Sequence, residues 1–438
     1  MPIGHYYKIL VFVEASQQCE VSYVIMKMKI LYIIHDNKKG GAALSFLNMI
    51  KGVSKEHEVY VLTPHKNGYI PDELDKLGIW HKSAHYFWWE IAKVGNPCLD
   101  AVRFLLYKVL NVYNHLEARR LARLVKKMEI NIIHSNSSTI NIGALVSDIT
   151  GQPHVWHLRE LGEQDFSLKP VLRGDSIRKE LNRGNSVYIA ISEYVARFYA
   201  SNIDNSVIVG LDNANSANAL EHKAADGESK DETLNTKQIH LIYNGIDSSY
   251  DYKKPAERYH AGAPAFLISG NYCEEKGQID VARAVGVLVS QGVTHFKVYR
   301  AGRGDFAEVH EYLSRERLEN YVLFCGLVDD MLALRKNCDV EIVASRAEAF
   351  GRVTVEAMRA SNPVIGSATG GTTELIEDGV NGFLYECKNI ESLAECMKRF
   401  IDDPSLACRM GQNAYEWSVN RFTSESNIKN VLAIYETI

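Results

Sequence analysis

Residues 30–53, ILYIIHDNKKGGAALSFLNMIKGV, contain the unit of chain on which the fold prediction depends. The apolar run at 30–35 predicts a buried strand, and the segment that ends in Gly40 and Gly41 predicts a loop. The residues after Gly41 have the apolar spacing of a helix. A near-continuous apolar strand followed by a helix is typical of a parallel sheet that is covered on both faces.

The same unit recurs along both halves of the chain. The first half has predicted strands at HEVYVLT, INIIHSN, HVWHLRE, SVYIAIS and IHLIYNG, and a predicted helix at Leu116 to Met128. The second half has predicted strands at AFLISGN, FKVYRAG, YVLFCG, VEIVAS and NPVIGS. We therefore predict an α/β protein with two Rossmann-like domains, at 28–255 and 256–420, that face each other across a cleft.

Two segments depart from this rhythm. Residues 1–27 precede the first clear strand, and we interpret them as an extension that results from an upstream start codon. Residues 210–237 are rich in Asn, Ala, Asp and Glu and poor in large apolar side chains, which predicts a mobile insert. That insert is either a solvated loop or a lid over the active site.

Composition excludes several classes of protein. The 438 residues are 46% hydrophobic, which suits two globular cores, and a net charge of -5 gives no strong basic field for nucleic acid. The eight cysteines show no CxxC pair and no zinc or disulfide spacing, which predicts a reduced, cytoplasmic location. No apolar run reaches the roughly 18 residues that span a bilayer.

The stretch EAFGRVTVE at 348–356 carries two carboxylates around a single glycine, Gly351. The strand VEIVAS precedes it and the helix VTVEAMRAS overlaps it, so Glu348 is predicted on a loop and Glu356 on a helix. Ligands of doubly wound folds bind at the carboxyl ends of the strands, where both carboxylates can accept hydrogen bonds from different hydroxyls of one polyol. Two exposed glutamates with no shared function are the alternative for such a pair taken alone.

Further motifs follow this pair in close order. They are SRAEAFG at 345–351, EAM at 356–358, PVI at 363–365, GGTTE at 370–374 and NGFL at 381–384, with GNYCEEKGQ at 270–278 and AGRGDF at 301–306 upstream. Together they resemble the retaining glycosyltransferase family 4 of the GT-B fold, in particular bacterial enzymes that build surface polysaccharides. The resemblance implies transfer of a hexose from a UDP- or GDP-sugar to a glycan or lipid-linked saccharide, and a terminal helix at 421–438 that crosses back to the first domain.

The resemblance also implies roles for individual residues. Glu348 binds the hexose hydroxyls, Glu356 binds the ribose, and Lys276 contacts the diphosphate. His157 lies near the reacting sugar, unless it is a hydrogen-bonded core histidine. The other positions implied in donor binding are Gly302, Phe350, Gly351, Arg352 and the backbone amides of Gly370, Gly371 and Thr372. Gly40 and Gly41 lack a Cβ, so their loop either allows close approach of the acceptor or the phosphates or is an ordinary tight turn.

One position departs from the family pattern. Asn271 stands where the family usually has an arginine, so one expected phosphate-binding cation is missing. Arg303 and Arg352 are candidates to replace it. No metal and no cofactor are expected, because the nucleotide sugar is a substrate and no His or Cys cluster has ligand spacing.

The sequence leaves alternatives open for membrane contact and for the type of activity. The aromatic stretch at 79–94, with basic residues between Arg103 and Lys127, predicts either peripheral membrane contact or a core cluster beside a solvated helix. A nucleotide-sugar epimerase of the same two-domain plan and a non-catalytic nucleotide-sugar binding module are the alternatives to a transferase.

Overall fold

The computed structural model of the chain describes residues 27–92, 96–162, 168–170, 176–210, 236–259 and 263–438. The predicted extension at 1–27, apart from its last residue, and most of the predicted insert at 210–237 lie outside these ranges. The described residues form two parallel sheets with helices on their faces, so the prediction of two Rossmann-like α/β domains is confirmed.

The first domain contains ten of the described strands and six helices. The strands are β1 (Lys29–Ile33), β2 (Glu58–Thr63), β3 (Trp80–Ser83), β4 (Glu90–Ala92), β5 (Ile132–Ser135), β6 (His154–Leu158), β7 (Leu168–Pro170), β8 (Ser186–Ala190), β9 (Ser206–Gly210) and β10 (Lys237–Leu241). The helices are α1 (Gly41–Glu56), α2 (Tyr69–Leu77), α3 (Pro97–Met128), α4 (Ile142–Thr150), α5 (Ser176–Leu181) and α6 (Glu193–Ala200). Eight strands pair in parallel in the order β3-β2-β1-β5-β6-β8-β10-β9, while β4 and β7 form a separate antiparallel pair.

The second domain repeats the plan with a smaller sheet. Its strands are β11 (Ala265–Ser269), β12 (Lys297–Ala301), β13 (Val322–Gly326), β14 (Val340–Val343), β15 (Val364–Ser367) and β16 (Gly382–Tyr385). Its helices are α7 (Gln278–Ser290), α8 (Ala307–Arg315), α9 (Met331–Lys336), α10 (Arg352–Arg359), α11 (Thr372–Leu375), α12 (Ile390–Asp402) and α13 (Ser405–Arg421). The six strands are parallel in the order β13-β12-β11-β14-β15-β16.

A last helix, α14 (Ser424–Thr437), returns to the first domain, as predicted. Its buried residues Val431 and Tyr435 belong to the same apolar cluster as α1 and β1. The Tyr435 hydroxyl lies 2.6 Å from the Tyr32 hydroxyl of β1. The two domains are therefore held together by packing of the terminal helix as well as by contacts across the cleft.

The helix predicted at Leu116 to Met128 is only the last part of α3, which has 32 residues. It begins after Asn96, whose side chain accepts hydrogen bonds from the amides of Cys98 and Leu99. Its amino-terminal half escaped prediction because apolar residues there point away from the domain, which obscures the usual amphipathic pattern.

Two aromatic side chains of the stretch at 79–94 belong to the core, whereas Trp80 is exposed and Phe87 and Trp88 are partly buried. Tyr86 and Trp89 are buried, and each donates a hydrogen bond to a backbone carbonyl. The alternative of a core cluster is therefore correct for these two side chains.

Candidate active site

Three loops of the second domain converge at one edge of its sheet. They follow the neighbouring strands β11, β14 and β15 and span 270–277, 344–351 and 368–371. Backbone hydrogen bonds join them: the Arg346 amide donates to the Glu275 carbonyl and the Gly371 amide to the Glu348 carbonyl, both at 2.7 Å. The carboxyl edge of a parallel sheet is where doubly wound folds bind ligands.

Lys276 and Glu348 meet at this edge. The Lys276 ammonium lies 2.7 Å from Glu348 Oε2, and their side chains are 36% and 19% exposed. Gly277 permits the approach, because its φ of 61° is left-handed and a Cβ there would lie 2.1 Å from the Ala344 carbonyl oxygen. The structure thus brings together two residues that are 72 positions apart and that the sequence assigned to one donor site.

Glycines also shape the Glu348 loop. Gly351 and Gly370 have positive φ, and a Cβ at Gly370 would lie 2.3 Å from the Glu348 carbonyl oxygen. The Gly371 amide donates a hydrogen bond to the Glu348 carbonyl, and the Thr372 amide donates to the Thr369 carbonyl at 3.2 Å. Two of the three amides predicted to face the donor are therefore engaged within the protein. The Thr372 hydroxyl, in contrast, is buried without a partner among the described residues.

Glu356 lies on α10 in a buried charge network. Its Oε2 accepts a hydrogen bond of 2.9 Å from Arg335 Nη1, and Arg335 Nε donates to Glu341 Oε2 at 2.8 Å. Burial lowers the pKa of the Arg335 guanidinium, but Glu341 and Glu356 outweigh that effect, so the net shift is upward. Arg335 fixes the position of Glu356. It belongs to no motif, so the sequence did not indicate this role.

Arg352 spans the cleft. Its Nε lies 2.7 Å from Glu356 Oε1 as an ion pair, and its Nη1 donates to the Ser45 hydroxyl of α1 at 3.1 Å. A Cβ at Gly41 would lie 3.6 Å from Arg352 Cδ, so the loop before α1 sits against α10. Gly40 is extended and a Cβ there would meet no atom within 4 Å, so the backbone alone gives no steric reason for glycine at that position.

Asn271 and Gly302 hold two neighbouring loops together. The Arg303 amide donates to Asn271 Oδ1 at 3.2 Å, and a Cβ at Gly302 would lie 2.0 Å from the Gly270 carbonyl oxygen. The Arg303 side chain itself is exposed beside Asn271. Of the two arginines considered as replacements for the missing cation, Arg303 is therefore the one not already paired with Glu356.

His157 lies at the end of β6 in a buried chain of hydrogen bonds. Its Nδ1 is 3.1 Å from His134 Nε2, and His134 Nδ1 is 2.7 Å from the Tyr435 hydroxyl. Burial, together with Arg159 and His134, holds the pKa of His157 well below its ordinary value, so the ring is neutral at physiological pH. His157 Nε2 is buried without a hydrogen-bond partner in the described chain, so this ring nitrogen has unused hydrogen-bonding capacity.

A second polar group lies nearby in the first domain. Glu160 Oε2 accepts from the Ser138 amide and hydroxyl, both at 3.2 Å, whereas its Oε1 has no hydrogen-bond partner among the described residues. Burial and the Glu160 charge raise the pKa of Glu90 to about 8. Glu90 is a candidate site residue that the sequence did not reveal, because it follows two tryptophans and belongs to no motif.

Contacts between the domains surround the candidate site. Phe350 is buried against Tyr243, with ring centroids 6.1 Å apart. The Glu374 carboxylate accepts from the amides of Glu193 and Tyr194 at the start of α6, at 2.9 and 2.6 Å. A carboxylate at a helix amino terminus is stabilising, so Glu374 holds the second domain against the first.

Comparisons with known proteins show a similarity that includes these loops. Residues 252–417 match the family model described as Glycosyl transferases group 1. All three loops of the candidate site lie within the matched residues.

Relatives extend the similarity beyond the matched residues. An uncharacterized glycosyltransferase of Methanocaldococcus jannaschii is 25% identical over 321 residues, which are 72% of this chain and 78% of the relative. The N-acetyl-alpha-D-glucosaminyl L-malate synthase of Bacillus anthracis is 27% identical over 54% of this chain and 62% of its own length. The crystal structure of Anabaena HepE in complex with UDP is 22% identical, with a TM-score of 0.69 over 94% of this chain and 100% of that one. These similarities confirm the GT-B fold.

None of the helices within the described ranges has both the length and the apolar character that crossing a bilayer requires. No group of three or more His, Cys, Asp or Glu side chains in the described ranges is arranged to hold a metal ion.

Proposed function

We propose that this protein is a retaining glycosyltransferase that moves a hexose from a nucleoside-diphosphate sugar to a glycan or lipid-linked saccharide acceptor. The observation that carries the proposal is the Lys276–Glu348 pair, at 2.7 Å, on the ligand-binding edge of the second domain, within the residues that match the family model. UDP is the preferred nucleotide of the proposal, because HepE has been crystallised with UDP and with UDP-glucose. GDP is the second choice.

The pair suits the chemistry of the donor. When the sugar leaves, negative charge grows on the diphosphate, and a preorganised ammonium stabilises that charge most where water is excluded. Lys276 supplies the ammonium. Glu348 holds it in place before the donor binds and then accepts hydrogen bonds from the sugar hydroxyls.

Glu356 binds the ribose in this proposal. Both of its oxygens already lie within 3 Å of an arginine nitrogen, at 2.9 and 2.7 Å. An ionised carboxylate has about four lone-pair sites, so capacity remains for two ribose hydroxyls. Arg335 and Arg352 hold the carboxylate in position through these contacts.

Arg303 takes the place of the missing phosphate-binding cation. Its backbone is tied to Asn271, and its guanidinium is exposed at the end of the loop that follows β12. An arginine guanidinium can form a bidentate contact with a phosphate.

The acceptor binds in the first domain. The loop at Gly40 leaves space there, and the buried atoms His157 Nε2 and Glu160 Oε1 lack a hydrogen-bond partner among the described residues, so they can bond to an acceptor hydroxyl when the site opens. Because burial keeps His157 neutral, it orients a hydroxyl rather than acting as an acid. The departing phosphate takes the acceptor proton on the same face of the sugar, which retains the anomeric configuration. The reaction needs no cofactor or metal in this scheme and takes place in the cytoplasm, at most peripherally at the membrane.

Nucleotide release from a panel of UDP-, GDP- and ADP-sugars, with and without glycan acceptors, tests the proposal. We expect release that depends on an acceptor, and a product with the anomeric configuration of the donor by NMR. Conversion of the donor sugar without acceptor would identify an epimerase. Saturable binding without product would identify a binding module.

A further inference from the structure

The outward face of α3 is apolar over its first half. Ala118, Leu121 and Val125 bury the opposite face against the first domain. The outward residues are between 52% and 66% exposed, and we call them the apolar stripe: Val102, Leu105, Leu106, Val109, Val112 and Leu116. Their spacing of three and four residues places them on one side of the helix, over about 21 Å of its length. Exposed aliphatic side chains in such a row mark a surface that contacts an apolar partner.

The same side of the helix becomes basic over its second half. The basic end consists of exposed cations that continue the direction of the apolar stripe: Arg119, Arg120, Arg123, Lys126 and Lys127. In the whole of α3, seven lysines and arginines accompany only two acidic residues, although the complete chain has a net charge of -5. The positive charge is therefore concentrated on this helix.

A basic groove lies beside this end of the helix. Its cavity of about 390 Å³ is lined by the cations Lys82, Arg120, Arg123 and Lys127 over a floor that includes Leu62 and Leu121. Lys82 comes from β3, the edge strand of the first sheet, so two separate elements direct positive charge into one groove. A phosphate group is the anion that a cluster of lysines and arginines binds best.

We propose that the outward face of α3 and the adjoining groove bind the surface of an anionic lipid bilayer. The apolar stripe enters the boundary between head groups and acyl chains, and the basic end with Lys82 contacts lipid phosphates. The helix lies in the plane of the surface. This inference goes beyond the proposed transferase activity and does not depend on it.

Charge favours a bilayer over a second copy of the chain. Two copies packed in parallel through the apolar stripe would bring two basic ends together. In an antiparallel pair the basic end would pass the first turns of the partner helix, where Asp100 is the one acidic residue; the other acidic residue of α3, Glu117, is buried and lies 3.6 Å from Arg120. An anionic surface contacts all five exposed cations at once.

Co-sedimentation of the full chain with vesicles tests the proposal. We expect binding to vesicles that contain phosphatidylglycerol, weak binding to pure phosphatidylcholine, and release by salt. The charge-reversal variant Arg123→Glu/Lys127→Glu should weaken partitioning by about 30-fold or more, since each lost juxtamembrane cation contributes about 1 kcal/mol and the anionic surface repels the two new carboxylates. The matched control Lys55→Glu/Lys429→Glu, which changes the same net charge at exposed sites on α1 and α14, should bind like the wild type.

The apolar half has its own test. Leu105→Ser/Val109→Ser alters only exposed side chains, so circular dichroism and the melting temperature should not change, while partitioning should fall about tenfold or more. Binding that ignores salt, anionic lipid and both double variants would overturn the proposal. A dimer in solution that Leu105→Ser/Val109→Ser dissociates, without any effect of vesicles, would overturn it in favour of a second copy.

Discussion

Replacing Lys276 with methionine keeps most of the side-chain volume and removes the ammonium from the candidate site. The two side chains of the Lys276–Glu348 pair are 36% and 19% exposed, so water screens the pair. An ion pair of this kind contributes no more than about 1 kcal/mol to stability. We therefore expect Lys276→Met to fold normally and to melt within a few degrees of the wild type.

The effect on the reaction should be far larger than the effect on stability. Loss of one preorganised contact to a developing charge slows turnover by about 100-fold or more, or about 2.7 kcal/mol. Glu348→Gln should slow turnover to a similar degree. Lys276→Arg, which retains the charge in a different shape, should recover part of the rate.

Steady-state nucleotide release, measured together with thermal melting, separates these effects. Lys398→Met is the matched control, because it breaks an exposed ion pair with Asp402 on α12, away from the site. The control should change neither rate nor melting temperature appreciably. Wild-type turnover in both Lys276→Met and Glu348→Gln would refute the site assignment.

Three further predictions concern the surroundings of the site. Arg335→Ala leaves two carboxylates buried without this cation and should lower the free energy of unfolding by about 3 kcal/mol or more, seen in urea denaturation; an unchanged midpoint would contradict the network. Burial raises the pKa of Glu90 from 4.5 to about 8, so the folded state favours its protonated form and stability falls as pH rises through that window, by at most about 1.4 kcal/mol per unit. Glu90→Gln should flatten this dependence of melting temperature on pH. The same slope in the wild type and the variant would contradict the assignment of the dependence to Glu90. Arg303→Ala should raise the KM for the donor about tenfold, and adding Asn271→Arg should reverse this; an unaffected KM would remove Arg303 from the phosphate site.

The sequence predicts best those parts of the fold that are buried on both faces. Strands such as β1 and β14 are near-continuous apolar runs, and each was predicted. The edge strand β3, WHKS, has no such run because half of its residues face solvent, and it was not predicted. The first half of α3 was also not predicted. Its apolar residues face outward, and they break the one-sided apolar pattern by which a surface helix is recognised.

Some residues of the candidate site could be predicted from the sequence and others could not. Lys276 and Glu348 stand in motifs whose context gives them a role, so the sequence could place both at one donor site. Arg335 could not be found, because it reaches Glu356 from another helix 21 positions away and belongs to no motif. Glu90 is of the same kind: its unusual pKa arises from burial and from Glu160, which are properties of the folded chain.

A crystal structure of the protein soaked with UDP-glucose is the most direct measurement of the central claim. We predict that a diphosphate oxygen lies within hydrogen-bond distance of Lys276 Nζ, with the glucose hydroxyls on the Glu348 carboxylate and the ribose on Glu356. Ordered UDP-glucose at any other place, with the Lys276–Glu348 pair intact, would contradict it.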